Sequence, residues 1–185
     1  MNHPVAAIAI GATWAFFLIW WTIPSARRGH LHMVLVSFAL STFLTLAILT
    51  IAGVWQPTPH TWLKVAGWVV QLLGIVLLAQ SFYHLSSRGK PYDEHQEPTV
   101  IVNTGVYHLT RHPMYAGIGI WAVGIAIGRP TLGSVLIAAG CVAFTLLAAV
   151  KEDEHNLRRF GELYAEYMKR VPLLNVFHRR MRSQG

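Results

Sequence analysis

Apolar residues run along this chain in five long blocks separated by short polar breaks. Such a pattern predicts helices that cross a bilayer rather than elements wrapped around a water-surrounded core. The first block, residues 5–23, stops at Pro24, ahead of a basic turn that holds Arg27, Arg28, His30 and His32. The second covers 33–55, and a charge-free break with two prolines leads to the third, 62–85. Each is near the roughly 20 residues that a span requires. A long polar stretch, 86–111, follows, with Arg88, Lys90 and Arg111 beside the first carboxylates of the chain, Asp93, Glu94 and Glu97. Two more apolar arms, 114–127 and 131–150, flank Gly128-Arg129-Pro130 and predict a helical hairpin. Residues 152–171 differ in kind. Leu157, Phe160, Tyr164, Tyr167 and Val171 recur at helical spacing among charged neighbours, which predicts one amphipathic helix ended by Pro172.

The expected fold is therefore all-α: a polytopic membrane protein with about five transmembrane helices, the last two a hairpin, and a C-terminal amphipathic helix on the cytoplasmic side. Residues 1–85 form three N-terminal spans, and 86–185 form a half that carries the chemistry. Composition agrees, with 54% hydrophobic and 12% charged residues, against about 25% charged in an ordinary soluble domain. No Lys or Arg precedes the first block while Arg27 and Arg28 follow it, the reverse of a secretory signal, so a retained span is expected. Basic residues alternate between breaks in a way that puts the N-terminus outside and the C-terminus in the cytoplasm. The same distribution argues against nucleic acid as the partner of the +7 net charge, because the cations flank apolar blocks instead of forming one stripe. Cys141, the one cysteine, excludes an internal disulfide.

One length bears on function. The arm 114–128 has 15 residues, or about 22 Å at 1.5 Å per residue, against a hydrocarbon core of about 30 Å. If the hairpin tip reaches the far interface, Arg111 and His112 lie below the near surface, where non-helical polar backbone must line an enclosed cavity.

Two clusters hold most of the ionisable groups that are not flanking charges: residues 104–117, TGVYHLTRHPMYAG, and 151–157, KEDEHNL. They bracket the hairpin, so closing it brings both to one face of the membrane, within reach of lipid. Gly117, Gly119, Gly124 and Gly128 do not fit a nucleotide-binding glycine motif and suit close helix packing. His108 and His112 have the four-residue spacing of a metal pair, but Pro113 interrupts a helix through them, and no metal is expected.

Gly105-Val106-Tyr107, Arg111-His112-Pro113-x-Tyr115-x-Gly117, Glu152-Asp153 and Phe160-Gly161-x-x-Tyr164-x-x-Tyr167, followed by Val171-Pro172, resemble the isoprenylcysteine carboxyl methyltransferase family. More loosely, they resemble the phospholipid N-methyltransferases. The resemblance implies methyl transfer from S-adenosylmethionine within a membrane domain, onto a lipophilic carboxylate, amine or thiol. It further implies that the cofactor touches Thr99, Val100, Ile101, Val102, Tyr107, His112, Pro113, Met114, Tyr115 and Glu152, with Arg111 and Glu152 as catalytic residues. The chemistry of the residues fits. An anion at Glu152 suits the cationic sulfonium and ammonium, donors at His112 or Arg111 suit the carboxylate, and the rings of Tyr107 and Tyr115 suit adenine or sulfonium. Where prenylcysteine enzymes carry a substrate-binding arginine one turn before the glutamate, this chain has Ala148, and Lys151 lies on another face. Membrane sterol reductases look similar around R-H-P-x-Y, so an NADPH-dependent reductase is the alternative enzyme, and a scaffold or small transporter is the non-enzymatic one.

Overall fold

The computed structural model describes residues 3–88 and 100–174. Thr99, with Lys90, Asp93, Glu94 and Glu97, lies outside the described residues. Within them the chain is helical, with no strand. His3–Phe17, a π-helical turn at Leu18–Thr22 and Ile23–Arg27 run on from one another as α1. Then come α2 (Leu31–Ile51), α3 (Thr61–Arg88), a 3-10 turn at Gly105–His108, α4 (Pro113–Gly128), α5 (Leu132–Phe160) and α6 (Glu162–Arg170). Helices α1, α2, α3 and α5 are long and apolar enough to cross a membrane, and α4 is a shorter apolar helix. This is a multi-pass membrane protein.

Three sequence expectations need correction. The first span does not stop at Pro24. A proline inside a helix lacks an N–H and clashes with the carbonyl four residues back; here the wider π turn, with Ile23 N–H donating to the Leu18 carbonyl, precedes it and lets the helix continue to Arg27. The second span ends at Ile51 rather than at 55, because Gly53, with φ of 71°, takes a left-handed conformation that closes the helix. The tail is not one helix. Apolar α5 runs straight past Val150 to Phe160, and Gly161, with φ of 56°, breaks the chain before α6.

The helices pack in the order α1–α2–α5–α4–α3. Apolar side chains gain nothing by leaving lipid for a helix surface, so close backbone approach and van der Waals fit must hold spans together. Small residues supply it. A Cβ on Gly74 would lie 2.7 Å from the Trp121 backbone nitrogen and one on Gly124 would lie 2.6 Å from the Gln71 backbone nitrogen, so the close packing expected of the α4 glycines is against α3. Across the α2–α5 seam, the Cys141 thiol donates to the Ala39 carbonyl at 3.6 Å. Phe43, Leu46, Ile118 and Ile125 fill the centre. Thr131 caps α5 by accepting from the Ser134 backbone at 3.2 Å, which sharpens the hairpin turn.

With 16 residues, α4 spans about 24 Å, short of the hydrocarbon thickness. The non-helical segment before it pairs inside the protein: Arg111 N–H donates to the Pro172 carbonyl at 3.0 Å, and Thr110 Oγ1 donates to the Leu173 carbonyl at 2.8 Å.

The glycine contacts predict that Gly74→Ala and Gly124→Ala each lower stability in detergent by about 1–3 kcal/mol through overpacking. Gly140→Ala, where a Cβ meets nothing within 4 Å, is neutral or stabilising by up to about 1 kcal/mol. Thermal unfolding of the three purified variants separates the classes.

Candidate active site

Asp153 sits on the extension of α5 and gathers three partners. Arg111 Nη2 donates to Oδ2 at 2.7 Å, Tyr164 Oη donates to Oδ1 at 2.6 Å, and His112 Nε2 lies 2.7 Å from Oδ1. The Arg111 and Asp153 side chains are 9% and 8% exposed, so this is a buried, charge-assisted pair. The remaining Arg111 head, Nη1, donates to the carbonyls of Met168 and Val171 at 3.0 and 2.6 Å. One guanidinium thus ties the loop before α4, the α5 extension and the end of α6 together. Burial, with the Asp153 hydrogen bond and charge next, pushes the Tyr164 phenol well above its ordinary pKa, so it stays protonated as a donor. Burial raises the Tyr167 phenol likewise, and its Oη donates to the Tyr107 carbonyl at 2.5 Å.

The 3-10 turn is placed just as tightly. Gly105 has φ of 60°, and a Cβ there would fall 2.0 Å from His84 Nε2, so both conformation and space demand glycine.

Glu152, the neighbour of Asp153, has a different environment. Its side chain is 29% exposed, and Oε2 lies 3.8 Å from His112 Nδ1. Tyr115 Oη donates to the same oxygen. The rings of His112 and Tyr115 stack at 5.5 Å with 5° between their planes. These groups face a cavity of about 350 Å³. Of the residues singled out from sequence, Val100, Ile101, Val102, Tyr107, Arg111, His112, Met114, Tyr115 and Glu152 line it. Pro113 is buried at the first position of α4 and is absent from the lining.

Several lining residues were not assigned to the site from sequence. Asn156, Arg159 and Phe160 close one side at helical spacing from Glu152, which was a usable signal, and Tyr164 and Tyr167, singled out only in the tail pattern and the resemblance, join them from α6. Trp21, His32, Met33, Val36 and Leu40 come from α1 and α2, where apolar spans carry no local mark of a cavity. His32 and His155 pack at 4.6 Å between ring centroids, with His30 at 5.3 Å from His155, so three imidazoles gather at the rim.

The phospholipid methyltransferase family model matches residues 62–163, more than half of the chain. The chain is 32% identical over 121 residues to protein-S-isoprenylcysteine O-methyltransferase B of Arabidopsis thaliana, covering 61% of this chain and 59% of that protein. It is 30% identical over 165 residues to a probable protein-S-isoprenylcysteine O-methyltransferase of Oryza sativa subsp. indica, covering 81% and 78%. The human protein-S-isoprenylcysteine O-methyltransferase is 31% identical over 116 residues, covering 60% of this chain and only 40% of the human protein. The chain thus spans less than two thirds of the Arabidopsis and human relatives. No solved structure matches. The chain belongs to the phospholipid methyltransferase and isoprenylcysteine O-methyltransferase family of membrane proteins.

Proposed function

We propose that this protein transfers a methyl group from S-adenosylmethionine to a lipophilic acceptor in the cavity that Glu152 faces. The observation that carries the reading is the division between two adjacent acids. Asp153 has spent its oxygens on Arg111, His112 and Tyr164, whereas Glu152 keeps part of its carboxylate open to the cavity. A structural ion pair needs only the first; the second is a fixed anion aimed at a ligand.

The residues fit the cofactor. A cavity of about 350 Å³ falls within the roughly 300–1,000 Å³ typical of small-ligand sites. Glu152 would hold the cationic groups, the His112–Tyr115 stack and the Tyr107 ring would offer flat faces, and Val100, Ile101 and Val102 would form an apolar wall. Bound there, S-adenosylmethionine supplies an electrophilic methyl group. Arg111 then acts as a positioning residue, since both of its Nη groups already serve Asp153 and the end of α6. What the protein contributes is alignment of the reactants and exclusion of water. Ala148 is fully buried one turn before Glu152, so that position offers no cation for an acceptor carboxylate, and a lipid amine or lipophilic thiol suits the site equally. Arg27, Arg28, Arg88, Lys151, Arg158 and Arg159 lie at the cavity end, against Lys64 and Arg129 at the other. That asymmetry favours a cytoplasmic cavity and C-terminus.

Calorimetry with S-adenosylhomocysteine tests the assignment. The purified protein binds at micromolar strength, and Glu152→Ala and His112→Ala each weaken binding at least tenfold, about 1.4 kcal/mol. Unchanged affinity in both variants refutes the site. The two acids also separate in stability. Asp153→Asn, which strands the buried Arg111 charge, costs about 3–5 kcal/mol and exposes the α5–α6 junction to limited proteolysis. Glu152→Gln stays within about 0.5 kcal/mol of the parent protein.

A further inference from the structure

Three imidazoles meet where the start of α2 packs against the end of α5. Gly29, with φ of 76°, turns the chain out of α1, and the His30 N–H donates to the Ser25 carbonyl at 2.9 Å. That turn makes His30 the N-cap of α2 and puts His32 in its first turn. His155 arrives from the other side because α5 continues past Val150 to Phe160, and it stands one turn beyond Glu152 on the same face. The ring centroids lie 4.6 Å apart for His32 and His155, 5.3 Å for His30 and His155, and 5.8 Å for His30 and His32.

The cluster joins two spaces. His32, which is 4% exposed, and His155 line the large cavity together with Glu152. His30 lines a smaller pocket of about 150 Å³ at the polar end of α1, beside Ser25 and the exposed Arg28. Rings this close pass a proton directly or through one water, so the three imidazoles connect the cavity with the polar side of the protein. Other polar groups nearby have other duties. Arg28, Arg111 and Arg159 keep their protons, His112 is tied to Asp153, and Glu152 faces the cationic groups of the cofactor. A ring that merely filled this corner would be better apolar, since burying a polar group costs free energy.

We propose that His32 and His155 take the proton that the methyl acceptor releases, and that His30 hands it on to the small pocket. This rests on the methyltransferase reading and adds the acceptor's class: a thiol or an amine, which must lose a proton, rather than a carboxylate, which need not. With a thiol, the S–H proton goes to an imidazole nitrogen while the acceptor sulfur forms a bond to the methyl carbon. The old carbon–sulfur bond breaks with its electron pair left on the cofactor sulfur. The products are a thioether, S-adenosylhomocysteine and an imidazolium. An amine gives up one N–H proton by the same route and becomes the N-methylamine. A carboxylate, already ionised at neutral pH, would give an ester and leave the cluster nothing to carry. The buried Ala148, which offers such a carboxylate no cation, agrees.

Transfer of tritiated methyl from S-adenosylmethionine to hexadecanethiol, hexadecylamine and hexadecanoate, measured on the purified chain in detergent, tests this. The thiol or the amine is methylated at least tenfold faster than hexadecanoate. His32→Ala and His155→Ala each lower that kcat at least tenfold, while S-adenosylhomocysteine affinity stays within threefold. Imidazole added to the buffer raises the rate of either variant at least threefold, a rescue that lost packing alone would not give. Where one variant no longer binds S-adenosylhomocysteine, the other carries the test. His60→Ala, at an exposed position before α3, changes none of these values. Hexadecanoate methylated as fast as the other two, an unchanged kcat, or a loss that imidazole does not relieve overturns the proposal. So does transfer to none of the three by a protein that binds S-adenosylhomocysteine. A parent protein that binds no S-adenosylhomocysteine sinks the methyltransferase reading instead.

Discussion

A buried carboxylate, Asp153, holds this structure's chemistry in place. It takes a charge from Arg111, a ring nitrogen contact from His112 and a phenol from Tyr164, so groups more than 40 residues apart in sequence converge on two oxygens. Burying such a pair is worth little by itself, because desolvation offsets most of the attraction. Its value lies in geometry. Once Arg111 is fixed, its second nitrogen fixes the end of α6, and that end supplies carbonyls to the backbone before α4.

Around this hub the fold solves a membrane problem. A short α4 leaves polar, irregular chain near the edge of the apolar layer, where each unpaired N–H or C=O costs several kcal/mol. Residues 171–173 pair with that chain, while Tyr164 and Tyr167 just before them line the cavity. The enclosed space then combines a partly open acid, a stacked histidine and tyrosine, and an apolar wall, which is the mixture a charged cofactor and a greasy partner both need.

Much of this was legible in the residues. Hydropathy located the spans, the glycines announced close helix packing without saying against which helix, and the bracketing of the hairpin by two polar clusters foretold that Arg111, His112 and the 152–153 acids would meet. What stayed hidden has physical causes. Pro24 reads as a stop unless a π turn is known to precede it, since that turn leaves no compositional trace. The tail reads as one amphipathic helix because its apolar spacing survives the break; only the backbone conformation of Gly161 divides it. The roles of Glu152 and Asp153 could not be told apart by type or position, because exposure decides them. Trp21, Met33, Val36 and Leu40 look like ordinary lipid-facing residues until the neighbouring helices enclose them.

The pairing of Arg111 with Asp153 has a bearing on biogenesis. Ribosomal synthesis makes the cation first, and its counter-ion follows 42 positions later, after the whole of α4 and most of α5. Until then the nascent chain carries an uncompensated guanidinium at the membrane boundary and must keep it hydrated. The spans can be inserted in that interval, but the cavity cannot yet be formed. Its wall is completed only when α6 docks, bringing Tyr164 to Asp153 and Tyr167 to the Tyr107 carbonyl.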